Sequence, residues 1–515
     1  MAHADRLSAQ QPQRLSDIVR FWAARSPQAV ALSQAGAVFS YGQLAQAMDA
    51  AADVLRASGV RPGDRVMMVA ENSIALMVLI LAAARLDAWA VNVNARLSAA
   101  EIQAIRQHSQ PRRVMYTVGV SPEAGAHALH QGAMPLELPG VGQVAMGPLD
   151  EACQPEPVYA DGRDQVAALI YTTGTTGQPK GVMLTHRNLL FVAASSSQVR
   201  GLVPEDRAYG VLPITHVFGL ASVAFGTLYA GASLYLAARY APADLIDTLR
   251  RERLTIFQGV PAMYARLLEY DYGDWNPAGS SLRFIYAGGS PLDATLKAQV
   301  ERLFGRVLHN GYGLTESSPT ISQTRIDAPR SDTSVGQVIP GVEIRIVGSD
   351  GRDVPEGEPG ELWARGPNVM KGYYREPALT AGAIDEAGWL RTGDLVRREA
   401  DGALFLVGRS KELIIRSGFN VYPIEVEAAL NAHPAVVQSA VVGRQTADGN
   451  EEVVAFVELD PAMGDVDLAE LQTWLGPRLS PYKRPSRIVA MPAMPAAATG
   501  KILKGRLKQL AQQLH

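Results

Sequence analysis

The chain has 515 residues, of which 47% are hydrophobic and 19% charged, with a formal net charge of -3. That length exceeds one ordinary core and implies two or three domains, the composition excludes a disordered chain, and the lack of a basic excess argues against a nucleic-acid partner. A single cysteine, Cys153, excludes an internal disulfide or thiolate metal cluster and points to a reducing, cytoplasmic setting.

The N-terminal residues MAHADR lack the apolar core of a signal peptide. From residue 15 to about 110, amphipathic stretches (LSDIVRFW at 15–22, YGQLAQAM at 41–48) alternate with continuous apolar ones such as RVMMVA at 65–70. The pattern predicts helices covering both faces of a parallel sheet. The longest apolar run, 74–84, is too short to cross a bilayer and reads as a buried helix. Residues 118–163, rich in Pro and Gly, read as irregular surface and as the least ordered part.

The apolar run VAALIY at 166–171 reads as a buried strand, and TTGTTGQPKG at 172–181 follows it directly. Gly174 and Gly177 free backbone N–H groups to turn towards a ligand, Thr172, Thr173, Thr175 and Thr176 add hydroxyl donors, and Lys180 adds a cation. Such a loop suits a polyphosphate. It is not the common P-loop, because Pro179 precedes the lysine and Gly181 follows it.

Helix and strand alternate again from 208 to 308, with LIDTLRRERL at 245–254 helical by spacing and TIFQGV at 255–260 a strand ending at Pro261. A second parallel-sheet lobe is expected there, with ligands at the carboxyl edges of the strands. After about 334 the period changes to two, in VEIRIV at 342–347 and ELWAR at 361–365 around an Asp350–Gly351 turn, which predicts a small antiparallel unit. Beyond GRSKE at 408–412 come a strand at 413–415, a helix opened by Pro423, strands at 436–442 and 453–459, and a tail ending at 501–513, a mixed α+β pattern of domain size.

YTTGTTGQPKG at 171–181, YGLTE at 312–316, RTGD at 391–394, GRSKE at 408–412 and TGK at 499–501 resemble, in this order and spacing, the adenylate-forming (AMP-binding) superfamily of acyl-CoA synthetases. GYGLTE at 311–316 and SGFNVYP at 417–423 are similar to the bacterial fatty-acyl-CoA ligases, with aryl-CoA ligases next. The resemblance covers nearly the whole chain. It implies an α/β fold: a large N-terminal adenylation domain (1–408) of two parallel-sheet lobes plus a small antiparallel β-barrel-like unit (about 334–408), and a small mobile α+β C-terminal lid (409–515) hinged at 409–411.

The implied chemistry has two halves. A fatty or aryl carboxylate attacks the α-phosphorus of ATP and expels pyrophosphate; coenzyme A then takes the acyl group from the adenylate and AMP leaves. The resemblance implies Mg2+ held by Glu316, with Thr315 donating to the α-phosphate; Tyr312 stacking on adenine; Asn310 bonding its exocyclic amine; and Gly288, Gly289 and Ser290 lining it. Asp394 and Arg409 would take the ribose. Lys501 would swing in to neutralise the α-phosphate, Lys411 would sit at the hinge, Gly418 would wall the pantetheine tunnel, and His216 would gate the acyl site. Outside the resemblance, Thr-Gly-Asp is a turn and Lys501 a solvated tail residue.

The acyl pocket is expected from Val217, Phe218, Val260, Ala287, Gly311 and Ser317, which carry no Arg or Lys, so dicarboxylates are disfavoured. Rival readings are a free-standing ligase that loads a carrier protein and a non-catalytic nucleotide-binding relative. The chain ends at His515 with no carrier module expected. The expected partners are a small carboxylic acid, ATP and coenzyme A, with no nucleic acid and no transmembrane segment; a homodimer is compatible with the sequence, which fixes no oligomeric state.

Overall fold

A computed structural model describes residues 12–173, 179–416, 419–446, 450–464, 466–496 and 502–514. Within them two large sheets share one core. The first has nine strands, in the order Gln337–Val338, Thr320–Gln323, Leu308–Gly313, Phe284–Ala287, Ile256–Gly259, Arg207–Gly210, Ser233–Leu236, Val30–Gln34 and Ala37–Ser40. Its middle is parallel, as the helix–strand alternation requires, and antiparallel strands close both edges.

The second has eight strands, running Gly372–Tyr373, Pro179–Thr185, Val166–Thr173, Trp89–Asn94, Arg65–Ala70, Arg113–Tyr116, Gly142–Met146 and Met134–Leu138. The expectation of two parallel lobes therefore holds for the sheet centres and needs amending at the edges. Between the sheets lies the helix Ile74–Arg85, buried from Ile74 to Ala84 and started by Ser73, whose hydroxyl accepts the Leu76 N–H. A helix apolar on every side can only be stable with protein on every side, and one cluster joins it to Val66 and Met68 of one sheet and Leu32 and Leu234 of the other. No helix among the described residues is long and apolar enough to cross a membrane.

Residues 118–163 depart from the reading as irregular surface. They hold the helix Pro122–His130 and a hairpin, Met134–Leu138 with Gly142–Met146, that extends the second sheet. The following stretch is pinned by arginines donating to its carbonyls: Arg113 to Gly147, Arg112 to Asp150, Arg61 to Cys153 and buried Arg65 to Gln154. Composition hid this because the partners come from other elements.

Strands Glu343–Val347, Gly360–Arg365, Leu390–Arg398 and Leu404–Arg409 form the small antiparallel unit. It is a four-stranded sheet whose two outer strands, Glu343–Val347 and Leu404–Arg409, do not pair with each other, so the barrel-like expectation reduces to an open sheet. The C-terminal residues build a three-stranded sheet, Val436–Gln445, Glu451–Leu459 and Arg487–Met491, with apolar clusters on both faces.

Candidate active site

The Thr/Gly loop hangs from a hairpin. Strand Val166–Thr173 returns antiparallel as Pro179–Thr185, and the pairing of Thr172 with Lys180 sets both side chains on one face at the tip. Gly174, Thr175 and Thr176 lie outside the described residues, as does the Thr173 side chain. At the hairpin's far end Thr185 caps the helix His186–Val199, and Asn188 donates from Nδ2 to the carbonyls of Pro367 and Val369 at 2.8 Å each. That fixes the next segment alongside: Lys371 N–H donates to Met183 O, and Gly372–Tyr373 joins the sheet edge.

Glu316 lies in the short 3-10 turn Thr315–Ser317 after the strand Leu308–Gly313. Its carbonyl accepts the Met370 N–H at 2.9 Å, and its Oε1 accepts the Tyr373 hydroxyl at 2.8 Å. Lys180 Nζ stands 5.5 Å from the centre of the same Tyr373 ring. Glu316 and Lys180 at the base of the loop thus both meet one tyrosine, the first at its hydroxyl and the second over its ring. Burial and the Glu316 charge push the Tyr373 phenol far above its ordinary pKa, so it stays a hydrogen-bond donor. Thr315 is buried beside them.

A second chain of contacts runs through Asp394. Its buried carboxylate accepts the Tyr312 hydroxyl at Oδ2 (2.5 Å) and Arg409 Nε at Oδ1 (2.9 Å). Arg409 faces Asp394 because the two are register partners in the small sheet. Burial and the neighbouring Asp394 push the Tyr312 pKa well up; at Arg409 burial works downward, and Asp394, Glu412 and Tyr312 together overcome it and raise the pKa. Asn310 donates to the carbonyls of Thr333 and Ser334 and accepts the Gly311 N–H through Oδ1, which keeps one lone pair for another donor.

The expected acyl residues partly converge. Phe218 and Tyr286 lie edge to face at 5.9 Å; a Cβ on Gly288 would touch both rings, at 3.1 and 3.0 Å, and one on Gly289 would lie 3.6 Å from Val260. Gly289 has φ +81°, and Ser290 follows it at the surface of the same turn. Gly311 has room for nothing larger, since a Cβ would fall 2.0 Å from Tyr286 Oη. His216 precedes the π-helical run Phe218–Phe225, with its Nδ1 3.4 Å from the Phe218 N–H. Ser317 is a correction: it is fully buried, and its hydroxyl bridges the carbonyls of Leu314 and Pro319 instead of facing a pocket. Beyond the six expected residues, Arg200 is buried with its guanidinium 4.5 Å from the Tyr286 ring centre.

The family model described as "AMP-binding enzyme" matches residues 19–374, and that described as "AMP-binding enzyme C-terminal domain" matches 425–501. A feruloyl-CoA synthase of an Amycolatopsis species is 34% identical over 490 residues, 94% of this chain and 96% of its own length. The chain belongs to this family. An indoleacetate–CoA ligase of Aromatoleum aromaticum is 33% identical, over 92% of this chain and 93% of its own. The O-succinylbenzoate coenzyme A synthetase of Bacillus subtilis, solved with ATP and a magnesium ion, matches with a TM-score of 0.81 and 29% identity, over 95% of this chain and 99% of its own. As an AMP-binding acid–thiol ligase the chain uses ATP, Mg2+ and coenzyme A, making an acyl-adenylate and then a thioester.

The donor set fits magnesium. Among the described residues no three acidic or His/Cys side chains gather, and Glu316 offers one carboxylate with Oε2 unengaged. A lone carboxylate suits Mg2+, which keeps most of its waters and takes phosphate oxygens as further ligands. Gly418 and Lys501 lie outside the described residues. Just past the latter, Ile502 bridges to Ala496, and Lys504 lies between Glu427 (2.7 Å) and Glu412 (3.2 Å). Sequence reasoning missed Tyr373, Tyr286, Arg200 and Lys504. None stands in a phosphate-binding or carboxylate motif; only the adjacency of strands not consecutive in sequence brings the first three to the site.

Proposed function

We propose that this ligase activates an aryl acid, with the fatty-acid alternative disfavoured. The support is an acyl site walled by Phe218 and Tyr286, together with relatives named for feruloyl and indoleacetate substrates. The observation that carries the catalytic assignment is the Glu316–Tyr373–Lys180 contact at the hairpin tip.

In this reading Thr172 and Lys180, with Thr173, Gly174, Thr175 and Thr176, hold the β- and γ-phosphates of ATP. Glu316 would hold Mg2+, which when bound neutralises phosphate charge. Thr315 donates to the α-phosphate. Tyr312, Asn310, Gly288, Gly289 and Ser290 receive adenine, and Asp394 with Arg409 receives the ribose hydroxyls. His216 gates the acyl site and acts as no base, since the acid is already ionised near neutral pH. Lys501 meets the charge growing on the α-phosphate during adenylation, and Gly418 lines the thiol's path in the second half-reaction.

The domain division follows the same logic. Residues 1–408 form the platform and 409–515 the lid, with the turn 409–411 (Lys411 exposed) as hinge directly after the last strand of the small sheet. A cytoplasmic setting accords with the buried, unpaired Cys153.

The test is pyrophosphate release with straight-chain fatty acids against benzoate, cinnamate and indoleacetate, followed by AMP release on adding coenzyme A. Aryl acids should exceed every fatty acid by about tenfold or more in kcat/KM. A fatty acid leading the panel would overturn the aryl reading, and transfer to a carrier protein but not to coenzyme A would overturn the thiol.

A further inference from the structure

The helix His186–Val199 ends on Arg200, a fully buried cation. Its Nε donates to Gln323 Oε1 (3.2 Å), Nη1 to Gln258 Oε1 (2.6 Å) and the Ser222 carbonyl (3.1 Å), and Nη2 to Ser222 Oγ (3.3 Å). Every one of these partners is neutral, and no carboxylate pairs with it among the described residues.

A guanidinium only donates, so both glutamine amides must turn their oxygens to it. The two NH2 groups are thereby committed to face elsewhere. Gln258 Nε2 and Gln323 Nε2 are buried and find no acceptor among the described residues. Buried donors without acceptors are uncommon in folded proteins, and two on one unpaired cation point to a missing ligand oxygen.

The cluster reaches the proposed acyl residues through Tyr286. Tyr286 separates Arg200 from Phe218 and Gly288, and a Cβ on Gly311 would lie 2.0 Å from Tyr286 Oη and 2.9 Å from Gln323 Cβ. We propose that Gln258, Gln323 and Arg200 form the far end of the acyl site, and that the acid carries, remote from its reacting carboxylate, an acceptor oxygen which the two free amide groups bind. Arg200 fixes the orientation of both amides and favours an oxygen bearing negative charge. This rests on the acyl site assigned above.

The experiment uses the full-length protein and pyrophosphate release with four acids of one shape: cinnamate, 4-methylcinnamate, 4-hydroxycinnamate and 4-carboxycinnamate. At least one of the oxygen-bearing acids should exceed 4-methylcinnamate by about tenfold in kcat/KM, mostly through KM, and the two separate a neutral from an anionic oxygen. Gln258→Leu should bring that ratio to about one, the larger loss falling on the oxygen-bearing acid and the smaller on 4-methylcinnamate. Arg200→Met should do the same if it folds; Gln258→Leu, which leaves the cation in place, decides the matter if it does not. Equal use of all four acids by the wild type, or a uniform loss on all four in Gln258→Leu, overturns the inference and leaves a bridging water as the missing partner. Failure of every aryl acid alongside activity on fatty acids would instead overturn the aryl reading, so the two failures are distinct.

Discussion

At the scale of single residues, the proposed phosphate site depends on where one carboxylate points. Glu316 is oriented by the Tyr373 hydroxyl, and a bond to a charged acceptor is stronger than one between neutral groups. Glu316→Gln should lower adenylation by about 100-fold or more, by analogy with the loss of a group that stabilises developing charge. Tyr373→Phe should cost about tenfold and raise the Mg2+ concentration needed for half-maximal pyrophosphate release. An unchanged Mg2+ requirement in Tyr373→Phe would remove the tyrosine from this role. Lys501→Ala should abolish adenylation yet spare thioester formation from a supplied acyl-adenylate; equal loss of both halves would contradict it. The motif residues were legible because each stands in a short pattern of polar groups and glycines. Tyr373 was not, because a tyrosine acquires a role only from its neighbour across the sheet edge.

At the scale of elements, glycines show how tightly the site's strands and turns approach one another. A Cβ on Gly313 would fall 1.5 Å from the Pro319 carbonyl, so backbone would have to move. Gly313→Ala should destabilise the fold by about 1–3 kcal/mol and disturb the adjoining Thr315–Glu316 turn, lowering adenylation as well as Tm. By contrast Gly125, within the helix Pro122–His130, has open space around its Cβ position, and Gly125→Ala should raise stability by up to about 1 kcal/mol. A Gly313→Ala protein as stable and active as wild type would mean the strand end can relax freely. The strands and helices themselves followed the sequence periods well. The segment 118–163 did not, because its order comes from arginines on distant elements, which a local pattern does not contain.

At the scale of the whole molecule, two histidines make stability depend on pH. Burial lowers the pKa of His186 to about 3 and, with Lys297 and Arg200 adding to it, that of His309 to about 4. Both are neutral in the folded protein, while unfolded histidine takes up a proton near pH 6.5. The unfolded state therefore binds more protons below that pH, and stability falls with acidification by about 1.4 kcal/mol per unit for each histidine, between pH 6.5 and about 4. Urea titrations across that window should show a shallower slope in His186→Gln with His309→Asn than in wild type; identical slopes would place the acid sensitivity elsewhere.

The sequence by itself determined the family and the order of α/β, antiparallel and α+β units, and it singled out the residues proposed for phosphate and ribose chemistry. These are written in local period and in short motifs, so neighbours in the chain suffice to read them. Only the tertiary structure decided that Tyr373 holds Glu316, that Asp394 joins Tyr312 to Arg409, and that the buried cation of Arg200 lies against the Tyr286 ring. Each of these depends on strands and helices distant in sequence lying side by side, and hydrogen bonds a few ångströms long report that adjacency where periodicity cannot.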